Sequence, residues 1–294
     1  MNARGVESGT RSGARRRTVA VVRSIVTDRA ALAGLILLAL VLLGSAAGPL
    51  LYGSHADALV AAPLIPPFTP GAPLLGTDAV GRDTLAQLLA GGPPTLAVAA
   101  LAAAISVVVG ITVGGLAGYF GGWIDAILMR MTELVMVIPL ILFAIAILAF
   151  VPATALNIAA VIGVLSWPMT ARVARAEFLR LRELDFVTSA RVVGASDSYL
   201  MWRVILPNAL SPLLVMASLA VAGAILVAAG LSFVGLVDPN QPSWGLMLAF
   251  NRSALLYDPW PTTFAGLAIF VTVLGVGLLA DGLNDALNPR LRQS

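Results

Sequence analysis

The sequence predicts an all-α membrane protein with six transmembrane helices, and three observations carry that prediction. Of its 294 residues 59% are hydrophobic and only 11% charged, where a soluble domain holds about a quarter charged residues; the mean hydropathy is +0.94. Six apolar runs are near the ~20 residues that a helix needs to cross ~30 Å of hydrocarbon. The runs are also unbroken, whereas a membrane β-strand shows only about ten residues of alternating character.

Taken in order, residues 1–30 form a basic segment with Arg4, Arg11, Arg15, Arg16, Arg17, Arg23 and Arg29. Arg15-Arg16-Arg17 ahead of an apolar run, with Ser45-Ala46-Ala47 behind it, has the outline of a twin-arginine signal. Arg23, Asp28 and Arg29 interrupt its core, so Val19–Arg29 reads instead as a short helix on the inner membrane surface. The first span is Ala31–Tyr52. An external loop follows over 53–94 and holds the single histidine, His55. Within it GTDAVGRD, Gly76–Asp83, reads as a turn in which Thr77 or Asp78 caps a helix and Asp78 pairs with Arg82 at i, i+4. It lacks the alternating ligands and terminal glutamate of a calcium loop.

The second span, Thr95–Tyr119, carries Gly110, Gly114 and Gly118, a small-residue stripe of the kind that lets helices pack closely. The third is Leu128–Phe150. The fourth, Ala155–Val173, contains Asn157, Ser166 and Pro168, and proline is tolerated in a membrane helix when neighbours satisfy the freed carbonyl. A polar segment at 174–208 precedes the fifth span, Pro212–Leu236. An external loop at 237–261 contains Trp244, either an interfacial aromatic or a contact for another protein. The sixth span is Phe264–Ala280; together 95–294 forms a five-helix core.

All 18 basic residues are arginine, and on this topology sixteen of them face one side, leaving Arg82 and Arg252 on the other. The positive-inside rule places that side, both termini and 174–208 in the cytoplasm. Such local charge concerns membrane orientation rather than nucleic acid.

Asp185–Asn208 is the unusual part. Phe186–Val193 reads as a short amphipathic helix ended by Gly194 in a left-handed conformation. Ser196 or Asp197 then caps a second helix, Ser198–Ile205, which pairs Leu200 with Val204 and Met201 with Ile205 at i, i+4 before Pro207 stops it. A plain connector needs only a few polar residues. A capped double helix therefore points to a docking element, the other reading being a helix pair lying flat on lipid.

Absences narrow the function. Without cysteine there are no disulfides or thiolate metal sites, and without lysine there is neither a Walker P-loop nor a Schiff base. Glu133, Asp281 and Asp285 fall toward the cytoplasmic ends of their spans, and no span has a central charge of the sort that marks an ion-coupled carrier. One loop histidine and no paired central carboxylates leave an intramembrane enzyme nothing to work with. The neutral groups Asn157, Ser166, Thr112, Ser218 and Thr272 are candidates to line a solute route or to bond a neighbouring helix.

VTSARVVGASDSYLMWRVILPNAL, Val187–Leu210, resembles the coupling-loop motif of ABC importer permeases. LGTDAVGRDTLAQLL (Leu75–Leu89), GYFGGWIDAILMR (Gly118–Arg130), LSFVGL (Leu231–Leu236), PSWGLMLA (Pro242–Ala249) and DGLNDALNPR (Asp281–Arg290) are similar, in the same order, to the C-type subunit of dipeptide and oligopeptide importers. The resemblance implies a type I importer permease fold in a bacterial or archaeal cell membrane. It implies a second permease subunit, two cytoplasmic ATPases that carry ATP and Mg, and an extracytoplasmic solute-binding protein, with no cofactor on this chain. Val187, Thr188, Ser189, Ala190, Val193, Gly194, Asp197, Leu206 and Pro207 would then meet an ATPase, with Val187, Ala190 and Val193 as the apolar ridge and Gly194 as the hinge. Asp78, Arg82 and Trp244 would face the binding protein, and Asn157, Ser166 and Ser218 the solute. Relatives resembling this branch carry peptides and sometimes other solutes such as metal chelates. Two positions depart from the pattern. Thr188 and Ser189 stand where the motif usually has glutamate and alanine, leaving Glu183 or Asp185 to supply a charge; Ala228 stands where the fifth span often has glutamate.

Overall fold

A computed structural model describes residues 28–52, 57–236, 238, 239 and 241–287. The N-terminal arginines up to Arg23, His55, Arg290 and Arg292 lie outside the described residues. Within them every element is helical apart from two isolated bridges, Leu59 with Arg82 and Thr77 with Asp83.

Helix α1, Arg29–Tyr52, opens where Asp28 accepts from the backbone N–H groups of Ala30 and Ala31. It lies at the side of the bundle against the last helix, where a Cβ on Gly34 would come within 2.8 Å of Gly275 O. Helix α2, Thr84–Phe120, begins eleven residues before the expected second span. Asp83 starts it by accepting from the N–H groups of Leu85 and Ala86. Pro93 and Pro94 lie inside it without ending it; close by, Thr95 Oγ1 donates to Gly91 O and Trp244 Nε1 to Leu88 O. At ~1.5 Å per residue this helix is long enough to project beyond the hydrocarbon.

The expected third span is broken. α3, Gly122–Val137, and α4, Leu140–Leu148, meet at 82° around Ile138-Pro139. A residue before proline is pushed out of the α region, and Ile138 is extended at φ −87°, ψ 126°. Among the described residues five helices are thus long and apolar enough to cross a membrane, and the bent pair makes up to six spans.

α5, Ala155–Arg182, is capped by Thr154 and packs on α2 along the glycine stripe. A Cβ on Gly110 would fall 2.5 Å from Thr170, on Gly114 2.1 Å from Ala171 O, and on Gly118 2.5 Å from Arg175 O. Any larger residue there would force the two helices apart. After α6, Asp185–Val192, the helix α7 runs without a stop over Asp197–Phe233. Its residues Leu200–Ile205 are π-helical. Proline 207 was expected to end a helix here; instead the chain passes through it. The Leu206 N–H bonds back five residues to Met201 O, and the wider coil carries the preceding carbonyls away from the ring that would clash in a regular α-helix. Of the expected i, i+4 pairs, Met201 and Ile205 are both buried in one core with Leu200, while Val204 is only half-buried.

The expected external loop at 237–261 contains α8, Trp244–Asn251, capped by Ser243, followed by a 3-10 turn at Arg252–Ala254. α9, Trp260–Leu287, completes the bundle. Two large apolar cores result among the described residues. One joins α2, α4, α5, α7, α8 and α9 around Ile162, Ile225 and Leu231; the other lies at the end of the bundle that carries α6, around Phe178, Leu181 and Val187.

Candidate functional site

At that end the chain forms an elbow. α6 closes in a Schellman arrangement, with the Ala195 N–H on Ala190 O at 3.1 Å and the Gly194 N–H on Arg191 O at 3.0 Å. It requires a left-handed residue, and Gly194 has φ +91° with no atom near its missing Cβ. Ser196 then caps α7, accepting from the Tyr199 N–H.

The elbow is fixed to the bundle from within. Val187 is fully buried beside Leu200, Met201 and Ile205 against Phe178 and Leu181, so it anchors the segment and does not belong to an outward ridge. Ala190 and Leu206 are partly buried on the same core. What faces outward is Val192 and Val193, 82% and 88% exposed; Ser189, Gly194 and Pro207 are exposed too. Thr188 is exposed and its hydroxyl turns back on Leu184 O. Asp197 accepts a 2.6 Å bond from Tyr119 Oη, and Arg191 lies over the Tyr119 ring. Arg182 donates to Gly118 O and Tyr119 O at the end of α2 while pairing with Glu183. Sequence reasoning missed Tyr119 and Arg182, whose partners are 78 and 64 residues away.

The bend between α3 and α4 opens the second feature, a cavity of about 440 Å³ against α5 and α7. Met136, Pro139, Phe143, Ser166, Met169 and Met216 are among its lining residues. Ser166 is thus the one of the three tentative path residues on this wall. Asn157 instead closes the start of α5 by donating to Pro152 O, and Ser218 bonds Leu214 O within its own helix. Thr112 and Thr272 likewise bond the carbonyls four residues before them.

At the opposite end the three residues expected to meet another protein are mostly inside. Trp244 is 3% exposed, held through Leu88 O and Thr95 Oγ1, so it is neither interfacial nor available to a partner. Asp78 is buried, and its carboxylate accepts from the N–H groups of Val80 and Arg82 and from Gln87 Nε2. The expected turn is there but its side-chain pair with Arg82 is not, the Asp78 carboxylate being taken by backbone N–H groups and Gln87. Arg82 pairs with Asp57 at 3.3 Å and lies over Phe250. Thr77 ties the loop to itself through Ala62 O and the Ile65 N–H, and Asp83 is the helix cap. Beside the exposed Asp57, this loop exposes large apolar side chains, among them Leu59, Phe68 and Leu74.

Several membrane spans, a firmly seated elbow and a cavity at a broken helix describe a polytopic membrane protein. The chain belongs to the family of binding-protein-dependent transport system inner membrane components, which it matches over residues 110–293. It is 40% identical over 219 residues to the glutathione transport system permease protein GsiD of Pectobacterium atrosepticum, covering 74% of this chain and 73% of that one. It is 38% identical over 222 residues to the di/tripeptide transport system permease protein DppC of Pseudomonas aeruginosa, covering 75% and 73%. To the dipeptide transport system permease protein DppC of Haemophilus influenzae it is 35% identical over 272 residues, 90% of this chain and 92% of the relative.

Proposed function

We propose that this chain is the permease subunit of an ATP-driven importer of dipeptides and oligopeptides, driven through the Gly194 elbow by a cytoplasmic ATPase. The observation that carries the reading is the elbow: a capped helix whose inner face is bound into the bundle and whose outer face, Val192 and Val193, has no partner among the described residues. Peptide as solute rests on the relatives, named for dipeptides, di- and tripeptides and glutathione, glutathione being itself a small peptide.

In this reading the elbow end faces the cytoplasm. A second permease subunit completes the pathway, two ATPase subunits bind ATP and Mg, and an extracytoplasmic protein delivers the solute. ATPase closure pushes Ser189, Ala190, Val192, Val193 and Gly194; Val187, Leu200 and Ile205 pass that push to α5 and α7. Moving a two-state equilibrium from 1:99 to 99:1 takes about 5.5 kcal/mol of differential binding, so a loosely held segment would waste the work. Leu59, Phe68 and Leu74 supply the apolar contact for the binding protein.

The test is reconstitution. The assembled complex in liposomes should take up a labelled dipeptide only with ATP and the binding protein present. Uptake by this chain alone, without nucleotide, would overturn the proposal.

A further inference from the structure

Two cavities meet at Met136. The apolar one at the α3–α4 bend adjoins a second, also about 440 Å³, lined by Met129, Thr132, Glu133, Met136, Arg172 and Arg175. Each falls within the ~300–1,000 Å³ of small-molecule sites.

The charges of the second cavity are unequal. Arg175 is neutralised by Asp125 through two bonds of 2.5 and 2.6 Å. Glu133 reaches Arg130 at 3.3 Å, with side chains 65% and 77% exposed, a pairing of the kind that contributes ~0–1 kcal/mol and is easily given up. Arg172 is exposed, and the neighbour it contacts is Met136 Sδ at 3.9 Å, a weak acceptor. No carboxylate among the described residues lies within ion-pair distance of it. The cavity therefore presents one uncompensated guanidinium and, on the facing helix, one loosely engaged carboxylate.

We infer that Arg172 binds the carboxylate of the solute at the α6 end of this double cavity, with Glu133 placed for its ammonium group and the apolar cavity for its side chains. A guanidinium fork donates two parallel bonds to a carboxylate, and a zwitterion satisfies both charges at once. The inference rests on the peptide-importer reading for the identity of the solute, and on Arg172 and its cavity for the site. An arginine serving only as a membrane anchor would point at lipid head groups and would not distinguish an acid from its amide.

The test uses the complete transporter in membrane vesicles with Met136→Cys. The chain has no cysteine of its own, so alkylation of that thiol, read by mass on this chain, reports occupancy of both cavities. A millimolar dipeptide should slow alkylation about threefold or more, its C-terminal amide far less. Arg172→Gln should remove the dipeptide's effect and Arg172→Lys retain part of it. Equal protection by acid and amide overturns the inference, and so does protection unchanged by Arg172→Gln. The acid–amide comparison stands in the Met136→Cys background even where Arg172→Gln inserts poorly. Slowing by anionic phospholipid with no dipeptide effect also overturns it, assigning the arginine to lipid. Dipeptide import without protection sinks this site and leaves the importer reading standing; carboxylate-dependent protection without import supports the site and sinks that reading.

Discussion

Tyr119 Oη donates to Asp197 Oδ1 at 2.6 Å, joining the end of α2 to the first turn of α7. Arg191, from α6, covers the same ring, so one side chain holds both halves of the elbow to α2. Tyr119→Phe keeps the ring and its cation contact but removes the bond. A hydrogen bond to a carboxylate contributes about 1.5–3 kcal/mol, and a loosened elbow should pass less of each ATPase stroke to the spans. Expected is near-normal membrane insertion and ATP hydrolysis with dipeptide uptake per ATP reduced several-fold, measured in proteoliposomes. An unchanged ratio would remove Tyr119 from the transmission path.

Gly194 offers a cleaner separation of folding from coupling. No atom lies near its missing Cβ, so a side chain there meets space, not a clash; the obstacle is φ +91°. A β-branched residue in the left-handed region costs ~1–3 kcal/mol, enough to unwind the Schellman turn and shift Val192 and Val193. Gly194→Val should insert normally and hydrolyse ATP yet import little, while Gly194→Asn, which tolerates this backbone region, should keep most activity. Equal uptake by the valine variant and the wild type would count against the elbow as the coupling element.

What was legible in the sequence was local. Run length gives the helices, and Gly194 and Ser196 announce the elbow because helix ends need a left-handed residue and an N–H acceptor wherever they occur. What was not legible depends on distant partners. Pro207 reads as a stop until the π turn before it is known, a turn that no local pattern in the sequence announces. Pro93-Pro94 likewise ends the expected external loop, yet α2 runs through both prolines. Pro139 did carry a signal for the break, since it sits in the middle of the expected third span. Arg172 enters a sequence reading only as one more positive-inside charge; its cavity follows from the bend that Pro139 makes.

Val187 and Val193 lie six residues apart and have opposite surroundings, the first fully buried and the second 88% exposed. Val187→Ala should cost ~1–3 kcal/mol through a cavity in the elbow core. Val193→Ser should change stability by no more than about 0.5 kcal/mol yet weaken retention of the ATPase subunits. Thermal unfolding of the purified chain and co-purification of the ATPases separate the two effects. Equal loss of ATPase binding with no loss of stability in Val187→Ala would mean that Val187 faces the partner after all.

Asp258, in the loop before α9, is 4% exposed, and its Oδ2 has no hydrogen-bond partner among the described residues. Burial raises its pKa above the ordinary 3.8, the Trp260 N–H lowers it in part, and the nearby Asp78 carboxylate raises it further. The sign follows from proton linkage: a carboxyl with a raised folded-state pKa favours the protonated form, so its stabilising contribution is present in full below the unfolded value. It is lost as pH climbs through the raised folded value, where the buried group must ionise. Asp258→Asn keeps the shape and removes the repulsion with Asp78. In detergent, the melting temperature of the wild-type chain should fall as pH rises across that window. The Asp258→Asn chain should lose this part of the slope and melt higher at neutral pH. A slope that survives the substitution would place the titration on another group, and a lower melting point at neutral pH would show that the ionised carboxylate is satisfied in the fold.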